Sequence, residues 1–315
     1  MIAAGAEDDM DRIDRRGFLE CMAWAGTGVL WTSAGGVLSS RLITEASAED
    51  TPAGFSFVQI SDTHVGFKGE ANPDAAATLQ QVVDRVNALR PAPPFLLHTG
   101  DQTHGQKAGA FDTVAEILKG AKVEKTFYVP GEHDVFLDGG KEYLSRYGQG
   151  TVGGRGWQSF DYKGTHVVGL VNVLKYKGEG MGSLGDDQIA WLEKDLAPLG
   201  SSTPIVIFSH VPLWAVYPKW GWTTEDAERA LASVRRFGSV TVLNGHIHQV
   251  LRKVEGSVSF HTAMSTAFPQ PAPGSAPAPG PMKIPEAEAR RMIGITDVTY
   301  VPGQHPLAVV DSTLS

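Results

Sequence analysis

Phe55-Ser56-Phe57-Val58-Gln59-Ile60-Ser61-Asp62-Thr63-His64 joins a short apolar run to a carboxylate and an imidazole. It reads as a buried strand with polar residues at its C-terminal end. The same arrangement returns four times. Phe95-Leu96-Leu97-His98-Thr99 delivers Gly100-Asp101, with His104 close behind. Thr126-Phe127-Tyr128-Val129 delivers Pro130-Gly131-Glu132-His133-Asp134. Residues 204–208 deliver Ser209-His210, and Val240-Thr241-Val242-Leu243 delivers Asn244-Gly245-His246-Ile247-His248.

Residues 75–89, 111–118, 188–196 and 224–236 read as helices; Leu79, Val82, Val83 and Val86 line one face of the first. A strand is expected at 165–173, a hairpin at 250–254 and 257–261 turned at Glu255-Gly256, and further strands within 291–315. The Pro/Ala/Gly stretch 269–281 reads as an exposed loop. Strand and helix alternate first and hairpins follow, which indicates an α/β fold. In open α/β sheets, ligands bind at the carboxyl ends of strands. The five clusters can therefore converge on one site.

The chain has 315 residues, 42% of them hydrophobic, enough for a single domain over 53–315 with a core at 55–261. Its formal net charge of -8 argues against a general nucleic-acid binder, so no nucleic-acid partner is expected. Cys21 is the only cysteine and lies near the N-terminus. No thiol follows, so any metal must be held by His, Asp, Glu or Asn, a donor set that suits Fe, Mn or Zn.

Residues 1–48 have the layout of an export signal. Asp14-Arg15-Arg16-Gly17-Phe18-Leu19 is a twin-arginine pattern, an apolar run follows over 21–38, and Ala46-Ser47-Ala48 resembles a cleavage site. Gly26, Gly28, Gly35 and Gly36 interrupt the run, which weakens it as a membrane span. The expectation is export by the Tat machinery to the periplasm, with no stable span.

The residue types suit two cations. A pair roughly 3.5–4 Å apart needs a shared anionic ligand, and Asp101 is the candidate. Neutral imidazoles add ligands without cancelling charge. The i, i+2 spacing of Asp62 and His64, and of His246 and His248, puts each pair on one side of extended backbone. Gly100, Gly131 and Gly245 are expected to allow sharp turns. Two metals would lower the pKa of water and polarise P–O bonds, and an unligated His could protonate the leaving oxygen.

The ordered set Asp62-x-His64, Gly100-Asp101, Gly131-Glu132-His133-Asp134, His210 and Gly245-His246-x-His248 resembles that of the calcineurin-like metallophosphoesterases. The likeness covers roughly residues 55–261. Gly185-Asp186-Asp187-Gln188-x-x-Trp191-Leu192 is also similar to a helix start found in bacterial members and purple acid phosphatases. The resemblance implies a four-layer α/β/β/α sandwich of two mixed sheets. It implies one metal on Asp62, His64, Asp101 and His248, and a second on Asp101, Glu132, His210 and His246. A hydroxide bridging the metals would attack phosphorus in a small phosphoester, with His133 assisting the leaving group. His104 would orient His133, beside Asp134, as in the repair-nuclease branch.

The family pattern has Asn where this chain has Glu132. Glu is anionic and cannot donate a hydrogen bond when ionised. Three carboxylates and a hydroxide neutralise two divalent ions, which would weaken their pull on phosphate or suit a trivalent ion. The competing reading is an exported metal-binding member with weak or lost activity; His133, Asp134 and His104 argue against it, because a pure metal binder needs none of them. The loop after His210 carries Pro212, Trp214, Tyr217, Trp220 and Trp222 and is expected to be an apolar cover, with a substrate platform as the alternative.

Overall fold

The computed structural model describes residues 29–34, 37–42, 54–175, 181–304 and 307–315. The chain divides into two compact units, Met1–Thr51 and Pro52–Ser315. In the first, β1 (Val29–Ala34) and β2 (Val37–Leu42) pair as an antiparallel hairpin. The twin arginines and Ala46-Ser47-Ala48 lie outside the described residues. No helix among the described residues is long and apolar enough to cross a membrane.

The second unit has two mixed sheets. The first is built on β3 (Phe55–Ile60), β4 (Phe95–His98) and β5 (Lys125–Tyr128), which run parallel. β12 (Gly294–Tyr300) pairs antiparallel with β3, and β13 (Ala308–Thr313) closes that edge. The second sheet has the order β10-β11-β9-β8-β7-β6. Its parallel centre is β7 (Thr165–Gly169), β8 (Ile205–Ser209), β9 (Val240–Asn244) and β11 (Val258–Thr262). β6 (Gln158–Tyr162) and β10 (Arg252–Glu255) are its antiparallel edges.

Side-chain alternation assembles the layers. Phe55, Phe57, Phe95 and Leu97 face inward and meet Val167, Val206, Phe208 and Leu243 of the other sheet. Phe127 of β5 and Phe160 of β6 stack across this inner layer at 3.8 Å and 5°. The alternate residues Val58, Ile60 and Leu96 face outward onto α1 (Ala75–Ala88) and α2 (Ala110–Leu118). Ile205, Ile207, Val240 and Val242 likewise pack on α4 (Asp186–Leu196) and α5 (Ala227–Val234). The order of layers is therefore α/β/β/α. Strands covered on both faces read as unbroken apolar runs, as residues 55–60 do.

Two expectations change in detail. The strand expected at 165–173 ends at Gly169. The helix expected at 224–236 spans Ala227–Val234. In front of it, Asp226 accepts hydrogen bonds from the main chain of Leu184 and Gly185. α3 (Lys141–Tyr147) and β6 are additions to the expected elements. The helix α6 (Glu286–Ala289) is a single short turn.

Phe57 is wholly buried between the sheets, whereas Val254 on the β10 edge is exposed. Phe57→Ala is expected to lower the unfolding free energy by about 3–5 kcal/mol. Val254→Ala should stay within about 0.5 kcal/mol. Denaturant titration measures both, and equal effects would contradict the inner-layer assignment.

Candidate metal centre

Five loops leave the carboxyl ends of β3, β4, β5, β8 and β9 and meet at one edge of the two sheets. The extended-backbone reading of the Asp-x-His and His-x-His pairs is corrected here. Asp62 (φ 54°), His64 (φ 40°), Asp101 (φ 52°), His246 (φ 71°) and His248 (φ 55°) are all left-handed. That conformation costs about 1–3 kcal/mol per non-glycine residue and persists only where the surroundings over-determine it. Here they do. The Asp62 and His64 N–H groups donate to Gly100 O and Asp101 O at 3.0 and 2.9 Å, and Gly245 N donates to His210 O at 3.0 Å. His246 N donates to both Asp62 carboxylate oxygens.

The glycines also act differently from expectation. Gly100 does turn with positive φ. Gly131 is extended, and a Cβ there would fall on Asp101 Oδ1; one at Gly245 would fall on Ser61 Oγ. Close approach, rather than turning, requires glycine at these two positions.

The ligand atoms form two halves. Asp62, His64 and His248 make one: His248 Nε2 is 3.2 Å from Asp62 Oδ1 and 3.2 Å from His64 Nε2. Glu132, His210 and His246 make the other: Glu132 Oε2 is 2.8 Å from His210 Nε2, and Oε1 is 3.1 Å from His246 Nδ1. Asp101 lies between them, with Oδ2 at 3.5 Å from His64 Nε2 and 3.5 Å from His210 Nε2. The structure thus gathers all seven expected ligand residues.

The chemistry of the donors tests whether cations fit. His210 Nδ1 donates to Thr99 O at 2.7 Å, and His248 Nδ1 donates to Phe268 O at 2.6 Å. In the neutral rings, each Nε2 is then a lone pair facing carboxylate oxygens. A second proton or a cation must relieve that clash. Without a cation, the carboxylates have to compete for protons. Burial raises the Asp101 pKa well above the usual carboxylate range, and Glu132 beside it adds to the shift. His210 is pushed well up: burial opposes this, but Asp101 and Glu132 outweigh it. Seven buried or half-buried donors with this charge pattern fit a pair of metal ions.

His133 and His104 stand beside these halves. The His133 main chain donates to Asp101 Oδ1 at 2.9 Å. Its ring stacks on His104 at 4.9 Å and meets the His64 ring edge-on at 4.9 Å. His104 Nδ1 is 3.2 Å from His64 Nδ1, the nitrogen that points away from the carboxylates. Asp134 is engaged by donors of both loops. Its carboxylate accepts from Gln102 N, Thr103 N, Thr103 Oγ1 and Gly131 N, tying the loop after β4 to the loop after β5. Burial raises its pKa to about 6 despite these donors.

Several supports are not legible in the sequence. Thr99 and Phe268 act through main-chain oxygens, which every residue has. Gln270, at the start of the exposed Pro/Ala/Gly loop, is buried and donates to His246 O at 3.0 Å. In the aromatic loop, Trp222 is fully buried and Trp214 packs on Phe260 at 5.2 Å. Tyr217 and Trp220 are half-buried at 5.2 Å from one another. These four packed rings agree with the expected cover.

The calcineurin-like phosphoesterase family model matches residues 55–250. A probable cyclic nucleotide phosphodiesterase of Rhodopseudomonas palustris is 27% identical over 217 residues, covering 65% of this chain and 76% of its own. A glycerophosphodiester phosphodiesterase of Enterobacter lignolyticus is 27% identical over 260 residues, covering 79% of this chain and 90% of its own. A dimetal phosphatase from Danio rerio shares the fold, with a TM-score of 0.61 at 16% identity over 83% of this chain and 99% of that one. The match runs through both sheets and all five ligand loops, so this chain belongs to the calcineurin-like phosphoesterases, a family of metal-dependent phosphoester hydrolases.

Proposed function

We propose that the chain hydrolyses small phosphodiesters at a centre of two metal ions. The observation that carries this reading is the pair of ligand halves joined by Asp101, with the His133 ring beside them. Asp62, His64, Asp101 and His248 would hold one ion, and Asp101, Glu132, His210 and His246 the other. Two such ions supply Lewis acidity and lower the pKa of water. The protein's own groups do the rest. The hydrogen bond from the His133 main chain to Asp101 Oδ1 fixes the turn that carries the ring, and the ring protonates the leaving oxygen. His104 steadies His133 by stacking and His64 through its outer nitrogen. Asp134 is a positioning residue that locks the two loops.

Two arguments favour diesters. Two of the proteins compared above are named as phosphodiesterases. Glu132 also places a third carboxylate in the site, which repels a dianionic monoester more than a monoanionic diester. The alternative, a family member with lost catalysis, leaves the His104–His133 pair without a purpose. We also propose that the enzyme is exported to the periplasm through the Tat route. The order of Arg15-Arg16, apolar run and Ala46-Ser47-Ala48 supports this.

Four outcomes are expected. His133→Ala should keep both metals by elemental analysis and lose roughly 10²–10⁴ in rate, less for a nitrophenolate leaving group; Asp101→Asn should lose at least one metal equivalent together with activity. Full activity and metal content in Asp101→Asn would end the shared-ligand reading. Glu132→Asn should move the ratio of kcat/KM for mono- over diesters upward and weaken metal retention on dialysis. An unchanged ratio would remove the electrostatic argument for diesters. Replacing Arg15 and Arg16 by Lys should leave the protein uncleaved in the cytoplasm, whereas normal fractionation to the periplasm would rule out the signal.

A further inference from the structure

The turn that carries His133 continues into two apolar side chains that the fold does not cover. Phe136 is 73% and Leu137 66% exposed. The main chain that carries them is held in place. Phe136 N donates to Glu132 O at 3.1 Å, and Leu137 N donates to Gln106 Oε1 at 2.6 Å. Gln106 Nε2 donates to Asp138 Oδ1 at 2.9 Å, and Asp138 accepts from Gly140 N and Glu142 N at the start of α3. Gln106 holds this brace from a left-handed conformation, φ 50°, of the kind found at ligand clamps. It lies two residues after His104, whose ring stacks on His133. The loops that bring those rings together therefore also present Phe136 and Leu137 to solvent.

We propose that Phe136 and Leu137 are the contact surface for the leaving alcohol of the substrate, and that this alcohol carries an apolar, ring-sized group. The proposal rests on the phosphodiesterase reading. In that reading, His133 meets the leaving oxygen, and the group attached to that oxygen lies within reach of the chain that follows His133. Other occupants fit less well. A stable protein interface buries about 800 Å² per partner, more than two side chains supply. An anionic membrane surface attracts basic segments, whereas Asp138 and Glu142 outnumber Lys141 beside this pair. One ring seated on a Phe and a Leu matches the size of the patch.

The test compares two diesters whose leaving alcohols differ in polarity, benzyl methyl phosphate and glyceryl methyl phosphate, on the full metal-loaded protein. Release of benzyl alcohol and of glycerol is measured for the wild type and for the Phe136→Ser/Leu137→Ser double variant. Both side chains are exposed, so metal content and melting temperature should confirm an intact fold. The wild type should favour the benzyl ester, and the double variant should lower the benzyl-to-glyceryl ratio of kcat/KM about tenfold, through KM, as expected for uncovering a ring-sized apolar contact. A ratio unchanged within about twofold would overturn the proposal. So would loss, in the variant, of wild-type binding to phosphatidylcholine vesicles, since the patch would then be a membrane contact. If the wild type hydrolyses neither ester, the phosphodiesterase reading fails, and calorimetric binding of the same two esters decides the patch. Tighter benzyl binding that the variant loses would support it, and equal binding would overturn it.

Discussion

His210 and His248 each donate from Nδ1 to a main-chain carbonyl and turn Nε2 toward carboxylate oxygens. Two facing sets of lone pairs repel each other until positive charge lies between them, and the rest of the site is arranged around that requirement. Asp101 shares its oxygen between the halves. Ser61 donates to Asp62 at 2.5 Å and takes up one of its lone pairs. Burial works to raise the Asp62 pKa, yet His248 holds it below the ordinary carboxylate range. The left-handed backbone at five ligand positions belongs to the same arrangement. Each of these residues carries strain so that its side chain can point into the gap, and bound cations would offset that strain on the folded side of the equilibrium.

The sandwich makes this possible because each sheet supplies one part of each half. Asp62, His64, Asp101 and Glu132 follow strands of the first sheet, and His210, His246 and His248 follow strands of the second. The aromatic inner layer, with Phe160 of the second sheet stacked on Phe127 and edge-on to Phe95 of the first, keeps the sheets in register so that their carboxyl ends align. Packing far from the metals thereby sets the distances between ligands.

The legible part of the sequence is the part written in side chains. Runs such as residues 55–60 and 240–243 identify themselves, because strands covered on both faces must be apolar throughout. The ligand residues can be read because only a few residue types can hold a metal. Much of the remainder depends on backbone geometry or on distant pairing. The pairing of β12 with β3, which joins Val298 to Phe57, leaves no local trace. Nor does a φ of 54° at Asp62, since nothing nearby in the sequence distinguishes it from an extended residue. Asp134 is recognisable as part of the motif, but a residue pattern cannot tell whether a carboxylate faces an imidazole or four hydrogen-bond donors.

The segment from Phe268 to Gln270 lies beyond residues 55–250, where the family match ends. It nonetheless fixes the tautomer of His248 and braces the main chain of His246. A chain trimmed to the recognisable motif would therefore retain every ligand and lose part of what orients them. Phe268 contributes to His248 through its peptide oxygen and through its ring, whose centroid lies 4.6 Å from that of His248 and 4.8 Å from that of His64. The functional unit therefore reaches further along the chain than its readable signature.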